Sequence, residues 1–156
     1  MNESSLNLAD VIDAQIRCAE DLITILEQEQ AALSERSPES LDALEAACSA
    51  KSAAAQQLQR LGDRLQILAG PRRSGAEFEA WLAQHHGAEA LIAAWRQLTT
   101  LARSLSDANR RNGALLDVRE QQVRGALIAM APEAPATYGR SGLRPSLPQG
   151  RVFSRA

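Results

Sequence analysis

The placement of proline constrains the fold of this chain most strongly. Pro38, Pro71 and Pro132 mark the limits of three long proline-free stretches, and helices exclude proline from their interior. Within these stretches apolar residues recur at spacings of three and four, which places them on one face of a helix. Ala, Glu, Lys, Leu and Arg make up 79 of the 156 residues, a composition typical of long helices and coiled coils. The sequence therefore predicts an all-α protein.

The first two stretches predict a helical hairpin. Ser37 can cap the second helix, and Pro38 suits the first helical position, where its missing N–H costs nothing. Gly70 followed by Pro71 is a typical helix end. Only two or three residues separate the two helices, so we expect them to pack antiparallel.

The third stretch predicts a short helix followed by a long one. Ser74 and Glu77 have the spacing of a capping box. Gly87 is expected to interrupt or kink the helical structure between the two helices. These elements form an antiparallel bundle of three long helices over 1–130, with a short extra helix before the last. The predicted helices are 6–35, 38–69, 75–86 and 88–130.

The C-terminal part has a different composition from the bundle. Residues 131–156 contain four of the six prolines, together with glycine and arginine, which excludes long regular elements. This Pro/Gly/Arg-rich tail carries a net charge of +3, whereas residues 1–45 carry −9 and residues 46–130 carry +4. We predict an irregular tail attached to a helical body with an acidic first helix.

Several classes of protein are disfavoured. Residues 1–10 show no signal peptide, and no apolar stretch approaches the roughly 18 residues of a membrane span, so we expect a cytoplasmic protein without membrane insertion. If the hairpin turns near residue 36, Cys18 lies opposite residue 54, which is roughly 9 Å along the axis from Cys48. The two cysteines are therefore too far apart to form a disulfide. No nucleophile, phosphate-loop or dinucleotide motif is present. We therefore predict neither a catalytic residue nor a cofactor.

The two histidines and the basic patch give weak signals. His85 and His86 point about 100° apart on a helix, and Glu89 is the only further ligand nearby, so no tetrahedral metal site is predicted. A histidine phosphotransfer domain stays an alternative, although the usual Leu-Lys-Gly after the histidine is missing. The basic patch has no interleaved aromatic residues, and we expect no nucleic-acid partner. It consists of Arg103, Arg110 and Arg111.

The last helix carries the clearest candidate for a binding surface. Asn109 and Asn112 fall on its apolar seam, where a polar residue can fix the register of a bundle. The helix is longer than its partners, so its C-terminal end should extend beyond them. An apolar helical stripe without a partner is a binding surface. The predicted stripe consists of Leu115, Leu116, Val123, Leu127 and Met130.

These features resemble the FlgN-type flagellar export chaperones over nearly the whole chain. The acidic Leu-rich segment 22–33, the segment 41–44 and Lys51 are similar to the family's opening. The sharper similarity is C-terminal. It lies in Asn109 with the segment 112–116, in the Thr-Tyr-Gly-Arg-Ser-Gly segment 137–142 and in the terminal residues 151–156. The chain departs from the family at Arg119 and Arg124, which interrupt the apolar stretch, and in the proline-rich segment 143–149.

The resemblance implies a chaperone that binds the C-terminal helical region of flagellar hook-associated proteins and prevents their premature assembly. It then delivers them to gate or ATPase components of the type III export machinery. Cargo would contact the stripe, so deletion of residues 113–156 should destroy the complex. Tyr138, the only tyrosine, is the candidate for docking to the export gate, unless it packs against the body and anchors the tail. A self-associating coiled-coil adaptor, for instance a homodimer, is the other alternative.

Overall fold

The computed structural model describes residues 3–35 and 37–130, with side chains from residue 8 onward. It contains four helices and, within these residues, no strand, which confirms the predicted all-α bundle of three long helices with a short helix before the last. The predicted irregular tail 131–156 lies outside the described residues. The helices are α1 (Glu3–Ser34), α2 (Glu39–Ala69), α3 (Gly75–Leu82) and α4 (Ala88–Met130).

The turn between α1 and α2 differs from the predicted cap. Pro38 is the residue before the first turn of α2, with φ −59° and ψ −36°, and no side chain of the described residues caps the helix. The expected capping role of the Ser37 side chain is therefore wrong. Instead the Ser40 hydroxyl donates to the carbonyl oxygen of Ser37 at 2.6 Å. Because Pro38 already has helical angles, the helix start moves past it and a hydroxyl one turn later holds the connection.

The register of the hairpin matches the sequence analysis. The Cys18 thiol donates to the carbonyl oxygen of Ala54 over 3.4 Å, which confirms that Cys18 lies opposite residue 54. Both cysteines are free. The second one, Cys48, is exposed and lies near the carboxylate of Glu29 instead, at 3.7 Å from Oε1.

The core lies along α1, which packs against both α2 and α4. Most of its buried positions follow a heptad pattern, because 3.5-residue spacing keeps one face turned to the partner helices. Val11, Ile16 and Ala32 are also buried and lie beside this series. Two of these positions are polar, Gln15 and Glu29, and each is buried. The buried heptad consists of Leu8, Ile12, Gln15, Ala19, Leu22, Leu26, Glu29 and Leu33.

An aromatic cluster closes the bundle at the end opposite the hairpin turn. The predicted capping box of Ser74 and Glu77 is present at the start of α3. Phe78 of α3 packs on Trp95 of α4 with ring centroids 4.4 Å apart. α3 ends at Leu82, four residues before the predicted end, and Gly87 with φ +76° separates it from α4.

Fewer residues are buried along the apolar seam of α4 than the sequence predicts. Its buried residues follow at intervals of seven, and the half-buried companions lie three residues later, as Leu101 does after Leu98. Asn109, expected on the seam, is exposed, because the companion of Leu105 is Ala108 rather than the residue four positions on. The buried seam consists of Leu91, Leu98, Leu105 and Asn112.

Candidate functional site

A polar layer joins all three long helices near the hairpin turn. Glu29 of α1 forms an ion pair with Lys51 of α2, whose Nζ donates a hydrogen bond to Oε1 of Glu29 at 2.5 Å. On its other oxygen it accepts from Asn112 Nδ2 at 2.8 Å, and the same amide nitrogen donates to the carbonyl oxygen of Leu26 at 2.8 Å. Buried polar groups need such partners, so this layer fixes how the helices align along their axes.

The charge of Glu29 is supported by this layer. Burial alone would raise the pKa of the Glu29 carboxyl, but the hydrogen bonds from Lys51 and Asn112 and the lysine charge outweigh it. The net result is a pKa below the usual value of 4.5. Glu29 is therefore a carboxylate at neutral pH, and its two partners are held by a full charge.

Two turns further along α4, Arg119 closes the end of the bundle. Its guanidinium donates to the carbonyl oxygens of Ala32 at 3.0 Å and Leu33 at 3.3 Å, which belong to the last turn of α1. It also donates to the Ser40 hydroxyl of α2 at 3.4 Å. The last carbonyls of a helix lack partners within the helix, and a cation is favourable there. Arg119 thus binds α4 to the hairpin turn.

Beyond Arg119 the last helix extends past the other described helices. Residues 120–130 remain helical and every one of them is exposed. At 1.5 Å per residue this segment, hereafter the overhang, is about 16 Å long. The extension of α4 past its partners, expected from helix lengths, is thus present in the structure.

The predicted stripe lies on α4 around and within this overhang. Its five residues are exposed, from 37% for Leu115 to 80% for Met130. Successive residues of a helix lie about 100° apart, which places the five within about a third of the helix circumference. Asn112 and Arg119 fall in the same third. The stripe is therefore the continuation of the face that α4 turns toward the hairpin, left uncovered where α1 ends.

Two further apolar residues are exposed that the sequence analysis did not select. Val118 is 52% exposed and Ile128 is 70% exposed. By the same 100° rule, Ile128 projects from the side of the helix away from the stripe. Val118 lies beside the stripe, about 60° around the helix from Leu115.

A groove forms at the base of the overhang, where the end of α1 meets α4. Its lining combines aliphatic side chains with the polar side chains of Ser34, Arg119 and Gln122. We call it the basal groove, and it adjoins the stripe through Leu115 and Val123. It is lined by Leu33, Ser34, Leu115, Val118, Arg119, Gln122 and Val123.

The remaining candidates from the sequence find a different setting. His85 is half-buried, with its ring 4.4 Å from that of Trp81 and its Nδ1 3.0 Å from the carbonyl oxygen of Trp81. His86 is exposed, and both histidines lie in the turn after α3 rather than on a helix. This placement disagrees with a phosphotransfer domain, which presents a histidine from a helix. Tyr138 lies outside the described residues.

The part of the chain that the structure describes shows no group of three metal-ligating side chains. Among its helices, none combines the length and the apolar character needed to cross a membrane.

Taken together, the fold and the stripe define an all-α protein whose last helix carries an exposed apolar face. Comparison with protein families gives the assignment: the family model described as FlgN protein matches residues 1–146, so the chain belongs to the FlgN family. This confirms the resemblance, and the family is one of flagellar export chaperones, not known for enzymatic activity. Neither a curated protein nor a solved structure matches the chain.

Proposed function

We propose that this chain is a cytoplasmic chaperone that binds the C-terminal helical region of hook-associated proteins, which form the hook–filament junction. It prevents their premature assembly and delivers them to the flagellar type III export apparatus. The observation that carries the proposal is the uncovered stripe on α4, which continues the core-facing side of the helix past the end of α1. Membership of the FlgN family supports the general role as an export chaperone, and the stripe is the proposed surface for binding cargo.

The physical basis is the burial of apolar surface on both partners. An unassembled amphipathic segment exposes apolar residues that other copies of the same protein could cover. A helix laid along the overhang would bury side chains such as Val123 and Leu127, each worth about 1.5–3 kcal/mol when fully covered. Binding of this kind uses the helix-in-groove mode, with anchors at helical spacing.

The test compares two substitutions on opposite sides of the overhang. Val123→Asp places a charge in the stripe, whereas Ile128→Asp places the same charge at a position of similar exposure outside it. With the C-terminal region of a hook-associated protein as ligand, calorimetry should show a loss of affinity of about tenfold or more for Val123→Asp, since 1.4 kcal/mol is tenfold. Ile128→Asp should bind normally. Equal affinity for all three chains would reject the stripe as the cargo site.

Delivery to the export machinery is assigned to Tyr138. A tyrosine among glycines offers an aromatic anchor with a hydroxyl, which is typical of residues that dominate an interface. Tyr138→Ala should reduce secretion of the cargo while leaving its affinity for the chaperone unchanged, and Phe153→Ala is the matched control. A fall in cargo affinity would instead place Tyr138 at the cargo site.

A second function fits the same surface, because a stripe with helical spacing can also pair with a copy of itself. The chain would then be a self-associating coiled-coil adaptor, for example a homodimer. Light scattering during size-exclusion chromatography separates the two. A chaperone with an unoccupied stripe is a monomer that forms a 1:1 complex with cargo, whereas the adaptor is a dimer that Val123→Asp dissociates.

A further inference from the structure

A second pocket opens at the other end of the bundle, between the end of α2, the connection that follows it and the aromatic cluster. We call it the aromatic-end pocket. The apolar part of its lining includes Leu65 and Ala69 of α2, Phe78 of α3 and Trp95 of α4. Its volume is about 280 Å³, below the roughly 300–1,000 Å³ of sites that enclose small molecules and cofactors. The pocket therefore suits one large side chain of a partner.

The charged residues in the lining of this pocket are both arginines, Arg72 and Arg73. Arg73 holds the end of α2, because its guanidinium donates to the carbonyl oxygens of Ala69 and Pro71. The same guanidinium lies 5.0 Å from the centre of the Trp81 ring. Arg72 is exposed, and it forms no hydrogen bond or ion pair with any residue that the structure describes. No carboxylate contributes to the lining, so the pocket is positively charged.

The carboxylates on the neighbouring turns of α2 and α3 already have partners. Asp63 and Glu79 accept hydrogen bonds from other side chains at 2.9 Å and 2.8 Å, and Glu77 accepts from the backbone N–H of Ser74 at 2.7 Å. The pKa of Glu77 lies below its usual value because of its hydrogen bonds with Ser74, and the nearby charge of Arg73 lowers it further. Glu77 thus offsets part of the charge of Arg73, and Arg72 is the cation left for a ligand.

We propose that the aromatic-end pocket binds a peptide segment in which an aliphatic or aromatic side chain lies next to a glutamate or aspartate. The apolar side chain would cover Leu65 and Trp95. The carboxylate would pair with Arg72, whose guanidinium can hold it through two hydrogen bonds. A single uncompensated cation does not supply the several phosphate contacts on which nucleic-acid binding depends. Trp95 lies about 42 Å along α4 from Val123 of the stripe, so the pocket is separate from the proposed cargo site.

The fluorescence of Trp95 tests this proposal. The chain has two tryptophans, so in Trp81→Phe the emission comes from Trp95 alone and reports occupancy of the pocket. The probes are blocked hexapeptides in which phenylalanine, leucine or methionine is followed by two glutamates, and they should change the emission saturably. Calorimetry on the unmodified chain measures the same affinity without the substitution.

A charge reversal at the pocket supplies the matched comparison. Arg72→Glu should bind the acidic peptides about fivefold or more weakly at low salt, the scale of one exposed ion pair. The difference should shrink as salt screens the charges. Arg111→Glu is the control and should bind normally, since Arg111 is exposed about 24 Å further along α4 than Trp95.

The peptides also separate the two parts of the proposed recognition. Replacement of the glutamates by lysine, or of the apolar residue by serine, should weaken binding. Equal binding of acidic and basic peptides, equal affinity of Arg72→Glu, or no saturable change in emission would overturn the inference. A requirement for a free C-terminal carboxylate, or tighter binding of a single-stranded oligonucleotide, would also overturn it. Val123→Asp should bind the peptides as the unmodified chain does, and a loss there would place them at the stripe instead.

Discussion

Asn112 of α4 donates from Nδ2 to Oε2 of Glu29 in α1 over 2.8 Å, and both residues are buried. Asn112→Ala removes this donor and leaves the carboxylate with less support in the interior. We expect a loss of about 1–3 kcal/mol in the free energy of unfolding, the usual cost of leaving a buried polar group unsatisfied. Urea denaturation measures it.

Asn109→Ala is the matched control for that substitution. Asn109 is exposed on the same helix, and alanine has the higher helix propensity. The free energy of unfolding should therefore stay the same or rise slightly. A larger loss for Asn109→Ala than for Asn112→Ala would mean that the seam of α4 follows the other register.

The depressed pKa of Glu29 predicts a pH dependence of stability. Burial raises the pKa of this carboxyl, but hydrogen bonds from Lys51 and Asn112 lower it by more than burial raises it. The pKa in the folded protein is therefore below the value of 4.5 in the unfolded chain. The stabilisation is therefore fully present above pH 4.5 and is lost as the pH falls through the lower value of the folded state. Glu29→Gln cannot titrate, so the difference in unfolding free energy between the two proteins should shrink on acidification below pH 4.5. Parallel stability curves from pH 7 to pH 3 would contradict this.

Arg119 is predicted to stabilise the end of the bundle through its hydrogen bonds rather than its charge alone. Arg119→Lys keeps the charge, but a single ammonium cannot reproduce the fork that reaches two carbonyls and Ser40. We expect a loss of about 1–2 kcal/mol in unfolding free energy, the scale of charged hydrogen bonds. Arg124→Lys, on the exposed side of the same helix, should change stability by less than about 0.5 kcal/mol. Equal effects would show that the contacts with α1 contribute nothing.

Two glycines should respond in opposite directions to alanine. α4 runs without a break through Gly113, where an added Cβ meets no atom within 4 Å, so Gly113→Ala should stabilise the protein by up to about 1 kcal/mol. Gly87 has φ +76°, a conformation that alanine adopts only with strain, so Gly87→Ala should destabilise it by about 1 kcal/mol or more. Thermal unfolding of both variants checks the pair. Destabilisation by Gly113→Ala would mean that α4 is kinked at that residue.

Much of the fold followed from local rules of the sequence. The capping box at Ser74, the break at Gly87 and the position of Cys18 opposite residue 54 all depend on neighbouring residues or on helix length. The predicted start of α2 is wrong although it depends only on neighbouring residues. Pro38 occupies the position before the helix rather than its first helical position.

The contacts of the site depend on alignment between distant segments. Arg119 donates to the carbonyl oxygen of Leu33 only because the end of α1 lies beside Arg119 along the axis of the bundle. From the sequence alone, Arg119 is interpreted only as a residue that interrupts an apolar stretch. Asn109 and Asn112 were equivalent candidates for the seam, and only the packed helices separate the exposed residue from the buried one. The role of the stripe in binding cargo stays a prediction.

The central claim is that cargo covers the overhang, and hydrogen–deuterium exchange of the full chain measures this most directly. Without cargo, amides of residues 120–130 should exchange fast, because every residue of this helical segment is exposed. On addition of the C-terminal region of a hook-associated protein, protection should rise in residues 115–130 and stay unchanged in the middle of α2. Protection confined to α2 or to the aromatic cluster of α3, with residues 115–130 unaffected, would contradict the account.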